Sequence, residues 1–298
     1  METVTVPDIG LKKLKRKSKR MKTVRMIVSY FFLIAFSLFF LFPFFYMLTR
    51  SFMTYEEVTE VPLLLFPRTL TWENFAEFFS LENNYFVYLK NTAIIIGVNL
   101  IAIPLASSFC AFGFSRCDFK GKETIFMILF STVMLPGAVT QVPMFVFYAR
   151  LNMVNTLFPF TVPAIFGGGV MNIFMIRQFM KSIPKEIDDS AEIDGANPFY
   201  VYFCIILPLL KPVLIMIMVG VFSGYWNDFM GPLIYLRTPD KYTLGLGFYK
   251  YFQTAAMKYH VEKQMAIGVI MTIFPAVVFL VFQKSIIEGI VITGSIKG

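Results

Sequence analysis

The chain predicts an all-α integral membrane protein of six transmembrane helices with both termini in the cytoplasm. Three observations lead there. Of its 298 residues 57% are hydrophobic and only 15% charged, against about 25% charged in soluble domains. The apolar residues gather in long unbroken runs, and Lys and Arg are shared unequally between the segments that separate them. Runs of about 18 apolar residues span a bilayer as helices, and six qualify: 26–48, 92–115, 124–148, 157–176, 213–235 and 265–282. Only the fifth carries a charge, Asp228. An outer-membrane barrel would instead show alternating segments of about ten residues.

Residues 1–25 form a basic tail, with nine Lys and Arg between 12 and 25. Beside a membrane span such a tail meets anionic lipid headgroups, and no nucleic-acid partner is expected. The run at 26–48 is about twice as long as a signal-peptide core and no small-residue cleavage site follows it. It reads as an uncleaved first helix. Residues 26–298 read as one membrane domain.

Between the first and second spans lies "FPRTLTWENFAEFF", where Thr71 can cap a short helix with Glu73 in its first turn. The fourth span contains three consecutive glycines, 167–169. They lack the Lys-Ser/Thr of a phosphate-binding loop and suit close helix approach instead. Beyond the fifth span, "TPDKYTLGLGFYKYF" carries the Pro and Gly punctuation of a turn-rich loop. With the N-terminus inside, eighteen of the 27 Lys and Arg fall on the cytoplasmic side. That bias sets the orientation.

Catalytic chemistry is not expected. The one histidine, His260, lies in an external loop, so no two-His metal site can form, and no Ser/His/Asp set is available. The three cysteines, Cys110, Cys117 and Cys204, show no metal or redox spacing. Polar residues inside the runs are Asn99, Gln141, Asn172 and Asn227, expected to face the bundle interior. A charge in a span is by default a functional candidate, which singles out Asp228 with its neighbours Tyr225, Trp226 and Asn227. Asp228 can equally cap a helix break or pair with a loop cation.

The segment "PKEIDDSAEIDGANPFYVYFCIILPLLKP", residues 184–212, interrupts the apolar pattern with five acids in nine positions, from Glu186 to Asp194. Pro184 suits the first helical position, and Glu186, Asp188 and Asp189 favourably oppose the helix dipole. Gly195 can leave the helix in a left-handed conformation. Asn197 and Pro198 then start a second short helix through 199–207, which Pro208 ends or kinks. Two short helices joined at Gly195 should project into the cytoplasm between spans four and five, in a loop at 181–212.

These residues resemble the EAA loop of permease subunits in binding-protein-dependent ABC importers. Asp189-Ser190-Ala191 stands for E-A-A, and Gly195, Ile205, Leu207 and Pro208 follow at the family's spacing, with "AEIDGAN" extending the likeness. Asp189 for Glu and Ser190 for Ala are the departures. "WNDF" followed by "PLIYL" at 226–236, and the ending "EGIVITGSIKG" with Gly289, Gly294, Lys297 and Gly298, resemble sugar permeases of the maltose-transporter type. The Asp-Ser-Ala variant and the basic tail look like the branch that imports complex oligosaccharides.

The resemblance implies a permease subunit in the bacterial cytoplasmic (inner) membrane, paired with a second homologous permease. It also implies two ABC ATPase subunits and an extracytoplasmic solute-binding protein. ATP and Mg would be held by the partner subunits and no cofactor by this chain, which is therefore not an enzyme. Glu186, Asp189, Ser190, Ala191, Asp194, Gly195, Ala196, Ile205, Leu207 and Pro208 would dock on the ATPase, their acids against basic groups and Ile187, Ala191 and Ile193 as apolar contact. Tyr225, Trp226, Asn227 and Asp228 would border the translocation pathway. The alternative is a self-contained channel or secondary transporter, whose spans would carry more ion ligands than Asp228 alone.

Overall fold

Apolar runs separated by Pro, Gly and Asn give helices throughout, and no strand occurs among the described residues. The computed structural model describes residues 8–79, 84–254 and 257–295. In chain order the α-helices are α1 (Asp8–Ser51), α2 (Tyr55–Thr59), α3 (Glu73–Phe79), α4 (Tyr85–Arg116), α5 (Lys122–Ser131), α6 (Gly137–Arg150), α7 (Phe158–Ile165) and α8 (Val170–Lys181). There follow α9 (Glu186–Ile193), α10 (Pro198–Tyr200), a π-helical turn (Val201–Ile206), α11 (Leu207–Leu209), α12 (Lys211–Trp226), α13 (Met230–Tyr235), α14 (Leu244–Phe252) and α15 (Val261–Ser295). Lys297 and Gly298 of the terminal motif lie outside the described residues.

Among the described residues, four helices are long and apolar enough to cross a membrane: Met21–Ser51, Tyr85–Arg116, Phe158–Lys181 and Val261–Lys284. The count reaches six if each of two bent pairs is one span. The run at 124–148 is one such pair, bent by 100° between Lys122–Met134 and Gly137–Arg150. Leu135, preceding a proline, is held extended (φ −74°, ψ 120°) and Pro136 follows suit (ψ 132°), so the helix stops and restarts. The second pair, Pro198–Leu209 with Lys211–Trp226, bends by 73°. As expected of a helix that Pro208 ends or kinks, the path stops one residue later at Leu209, and a π-helical turn precedes the proline, which cannot donate a backbone hydrogen bond. The run at 213–235 is also interrupted, since α12 stops at Trp226 and α13 starts at Met230.

The chain divides into two compact units. One comprises residues 1–74 and 261–269. Within it, residues 21–45 of α1 are exposed throughout, as suits an apolar helix whose solvent is lipid. The loop after α1 is stitched by its own polar groups. Thr54 and Glu57 form a capping box on α2, and the buried Glu57 carboxylate also accepts the N–H groups of Arg68 (3.1 Å) and Thr69 (3.2 Å).

The other unit comprises residues 75–260 and 270–298. Its axis is α4, against which α7, α8, α12 and α14 pack. Three consecutive glycines divide the fourth run into α7 and α8, all with positive φ (+100°, +66° and +92°). Gly168 lies so close to α4 that a Cβ there would meet the Ile103 carbonyl oxygen at 2.4 Å. Close approach is therefore what this glycine permits. In the first unit, Thr71 stands two residues before Glu73, the first residue of α3, and its hydroxyl accepts the Glu73 N–H at 3.3 Å.

At one end of α4 the segment 237–244, mostly without regular structure, is held by side chains from far away in sequence. Asn91 Nδ2 donates to the carbonyls of Asp240 (3.0 Å) and Tyr242 (2.9 Å). Thr92 Oγ1 accepts the Leu244 N–H at 2.9 Å, and Asn155 Oδ1 accepts the N–H groups of Arg237 and Thr238 at 2.9 and 3.1 Å.

Candidate functional site

Two places in the second unit gather the residues singled out by sequence. The first is the segment 184–212 at the far end of α4. Its helix α9 begins at Glu186, two residues after Pro184, with Lys185 already helical in backbone (φ −71°, ψ −23°). The exit is a Schellman turn: the Gly195 N–H donates to Glu192 O and the Ala196 N–H to Ala191 O, both at 2.9 Å. Gly195 takes φ +82°, a conformation glycine adopts without steric cost. Asn197 Oδ1 then accepts the Tyr200 N–H at 2.8 Å and starts the next helical stretch, with Pro198 in its first turn.

One residue of α9 faces otherwise than the sequence suggested. Ala191 is buried in the chain's own core with Val201, Tyr202 and Ile206, so it is not free to contact a partner. Its small side chain lets the short helix lie flat on that core. Glu186, Asp189, Ser190, Glu192 and Asp194 are exposed, and Ser190 turns its hydroxyl back to Glu186 O at 2.6 Å. Ile187 is exposed and Ile193 almost fully so, at 87%. Beyond the turn Phe199, Tyr200 and Phe203 are exposed as well. Ala196, Ile205 and Leu207 are half-buried against the core, while Pro208 is exposed.

Asp188 is set apart from the other acids. Its carboxylate Oδ2 lies 2.8 Å from Arg116 Nε at the end of α4, both side chains largely enclosed. The approach is too oblique for a directed hydrogen bond, and Oδ1 accepts none among the described residues, so the contact is one of charge. Burial pushes the Asp188 pKa up, opposed by the Arg116 charge, which pulls it down. Arg116 Nη2 also donates to Ile183 O at 3.0 Å. Nearby, Arg177 donates from Nε to Phe114 O at 3.1 Å, pairs with Glu123, and lies 4.2 Å over the Phe126 ring. The Tyr202 and Ser108 hydroxyls meet at 2.8 Å.

The second place is a groove of about 530 Å³ between α8 and α12. Asn172, Tyr225 and Asp228 give it polar corners, Met175 and Met216 an apolar wall. Gly220 and Gly224, one helical turn apart, leave its floor open, since a Cβ at either would have no neighbour within 4 Å. The signal for this opening in the sequence is the pair of glycines four residues apart. Asp228 Oδ1 accepts the Gly231 N–H at 3.1 Å, so it does cap the break between α12 and α13.

Of the four residues expected beside a pathway, Tyr225 and Asp228 line this groove. Trp226 instead stacks on Phe222 (centroids 5.6 Å apart) and leans on Phe274. Asn227 is exposed and donates to Ser223 O at 2.8 Å. Among the expected interior polar residues, Asn99 is fully buried and bridges α4 to α7 through Phe160 O at 2.8 Å. Asn172 donates to Gly168 O at 2.7 Å, and Gln141 is exposed rather than interior. No cluster of His, Cys, Asp or Glu that could hold a metal occurs among the described residues.

Comparison with known proteins bears on what such a molecule does. The sequence profile of the family described as "Binding-protein-dependent transport system inner membrane component" matches residues 11–290. The arabinooligosaccharides transport system permease protein AraQ of Halalkalibacterium halodurans is 30% identical over 288 residues, covering 96% of this chain and 100% of that one. The galactooligosaccharides transport system permease protein GanQ of Bacillus subtilis is 28% identical over 278 residues, covering 92% and 96%. Among solved structures, a bacterial ABC transporter involved in import of the acidic polysaccharide alginate superposes with a TM-score of 0.79. It is 21% identical and covers 89% of this chain and 97% of its own, a likeness of fold.

Proposed function

The chain belongs to the family of inner membrane components of binding-protein-dependent transport systems, and from that premise we propose that its cargo is an oligosaccharide and that segment 184–212 is its coupling element. Membership makes it a transport subunit of an ABC importer and not an enzyme: hydrolysis belongs to partner ATPases. It also removes the self-contained channel or secondary transporter from consideration. The cargo reading is supported by relatives matched along nearly their whole length, whose names specify oligosaccharides.

One observation carries the coupling role. A short helix closed by a Schellman turn presents Asp189, Glu192 and Ile193 outward while Ala191 anchors it to the core. An eight-residue helix with this pattern has acids and an apolar knob free for a groove on another protein. On this reading the segment is cytoplasmic, as are both termini, and the spans number six with each bent pair counted once. A second permease completes the pathway, of which the groove at Tyr225 and Asp228 is one wall. ATP and Mg stay with the two ATPase subunits.

The test is copurification of the assembled importer from membranes, with Asp189→Lys as the perturbation. Placing a like charge against a basic groove costs several kcal/mol at an interface. ATPase subunits should copurify with the wild-type chain and be depleted with Asp189→Lys. Undiminished recovery with the variant would refute the docking role. Oligosaccharide uptake by proteoliposomes containing the complex, against monosaccharide controls, tests the cargo.

A further inference from the structure

Coupling requires more than a handle that fits the partner. The handle must also be fixed to something that moves with the pathway, and α9 is too short to fix itself: isolated helices below about 12 residues are marginal. What holds it is therefore a functional question. Ala191 is one anchor, but a methyl group on a smooth core sets depth rather than direction.

Polar contacts set the direction, and several converge on the last turns of α4. Arg116 reaches α9 itself through Asp188 at 2.8 Å and the stretch entering α9 through Ile183 O at 3.0 Å. The stretch leaving α9 returns to the same helix through Tyr202 and Ser108 at 2.8 Å. Arg177 ties α8, which leads into the loop, to Phe114 O. Arg116 is the one of these that holds α9 and its approach together. Its side chain is only 7% exposed and that of Asp188 19%, so water does little to screen the pair.

We propose that Arg116 is a positioning residue for coupled transport: by gripping Asp188 and Ile183 O together it makes α9 move with α4 as one body. The proposal rests on segment 184–212 being the coupling element. It assigns opposite tasks to two adjacent acids. Asp189 faces outward to the partner, whereas Asp188 faces inward and never touches it.

The experiment uses the complete importer, with ATPases, companion permease and binding protein, in proteoliposomes. Arg116→Gln and Asp188→Asn should leave ATPase recovery and basal hydrolysis at wild-type level. Transport per ATP should fall about tenfold, the order found for residues that carry coupling without touching a ligand. The exchanged pair Arg116→Asp with Asp188→Arg should recover most of it. Wild-type transport per ATP in the single variants, or a loss that the exchange does not recover, overturns the proposal.

A second readout needs no ATPase at all. A spin label at residue 193, exposed at the end of α9, should gain mobility in Asp188→Asn relative to the wild-type background, and unchanged mobility likewise overturns it. Failure of the wild-type chain to bring down any ATPase would refute the coupling role of the loop instead, while the label still reports on Arg116.

Discussion

Replacing Gly168 by alanine adds one methyl group at the point where α8 meets α4, and the geometry sets its cost. The residue sits at φ +66°, where an L-residue loses about 1–2 kcal/mol. The new Cβ would lie 2.4 Å from Ile103 O and 3.1 Å from Ser107 Cβ and N. Two of those atoms are backbone, so the helices must part, and overpacking of this kind costs about 1–3 kcal/mol more. The expected total is roughly 2–5 kcal/mol. Gly195→Ala is the internal control: its φ of +82° imposes the same backbone strain, but nothing lies within 4 Å of its Cβ. Denaturant titration of both variants in detergent, followed by circular dichroism, should show Gly168→Ala losing at least about 1 kcal/mol more than Gly195→Ala. Equal losses would mean that α4 and α8 are not in contact at this point.

Gly195→Val should insert and fold yet abolish substrate-stimulated hydrolysis, because a β-branched residue is an outlier at positive φ; normal stimulation in the purified complex would remove the tight turn from the mechanism. Asp228→Asn keeps the acceptor for the Gly231 N–H, so the helix break and stability should persist within about 1 kcal/mol, while transport changes. A thiol at residue 228, in a background without Cys110, Cys117 and Cys204, should react with an impermeant external reagent in at least one transport state. Full protection together with wild-type transport by Asp228→Asn would leave Asp228 a cap alone. Acid should separate coupling from stability. Burial raises the Asp188 pKa, so on acidification the folded chain takes up this proton before the unfolded chain does. The cost of the buried charge then disappears just as the pair with Arg116 is lost. Lys185, Asp189, Asp118 and Glu192 share the cavity, so Asp188→Asn is the reference. Transport per ATP should fall at mildly acid pH in wild type without a matching fall in thermal midpoint, and stay flatter in the variant. Equal slopes would place the titration elsewhere.

What the sequence made legible was local. Gly195 and Asn197 punctuate the loop because each acts through its own backbone or near neighbours, and the Schellman turn needs nothing beyond five residues, whereas Pro184 stands two residues before the helix it was expected to open. The glycines at 167–169 announced close helix approach, but not that they would divide the run into α7 and α8. Pro136 could have announced the 100° bend, but a continuous apolar run hides a change of direction, since hydropathy carries no angle. Pro208 marked the place of a bend, since the helical path stops one residue later at Leu209 and turns by 73° into α12, but the π-helical turn before it was not legible. The inward turn of Ala191 and the pairing of Asp188 with Arg116 were not legible at all. An eight-residue helix has no periodicity long enough to mark its buried face, and Arg116 lies on another helix, far away along the chain.

The clasp on segment 237–244 has a consequence for how the chain is made. The segment's only regular structure is the short 3₁₀ turn Pro239–Lys241. The groups that hold its backbone, Asn91, Thr92 and Asn155, precede it by 82 to 152 residues. They leave the ribosome long before what they bind, so they wait in place as a template. Contacts between such distant residues order late. A chain halted before residue 237 would leave Asn91, Thr92 and Asn155 without the backbone groups they hold in the finished molecule. Closure of this loop thus requires that the chain segments carrying Asn91, Thr92 and Asn155 already stand beside it. The same three side chains therefore make the order of a late loop depend on chain laid down long before it.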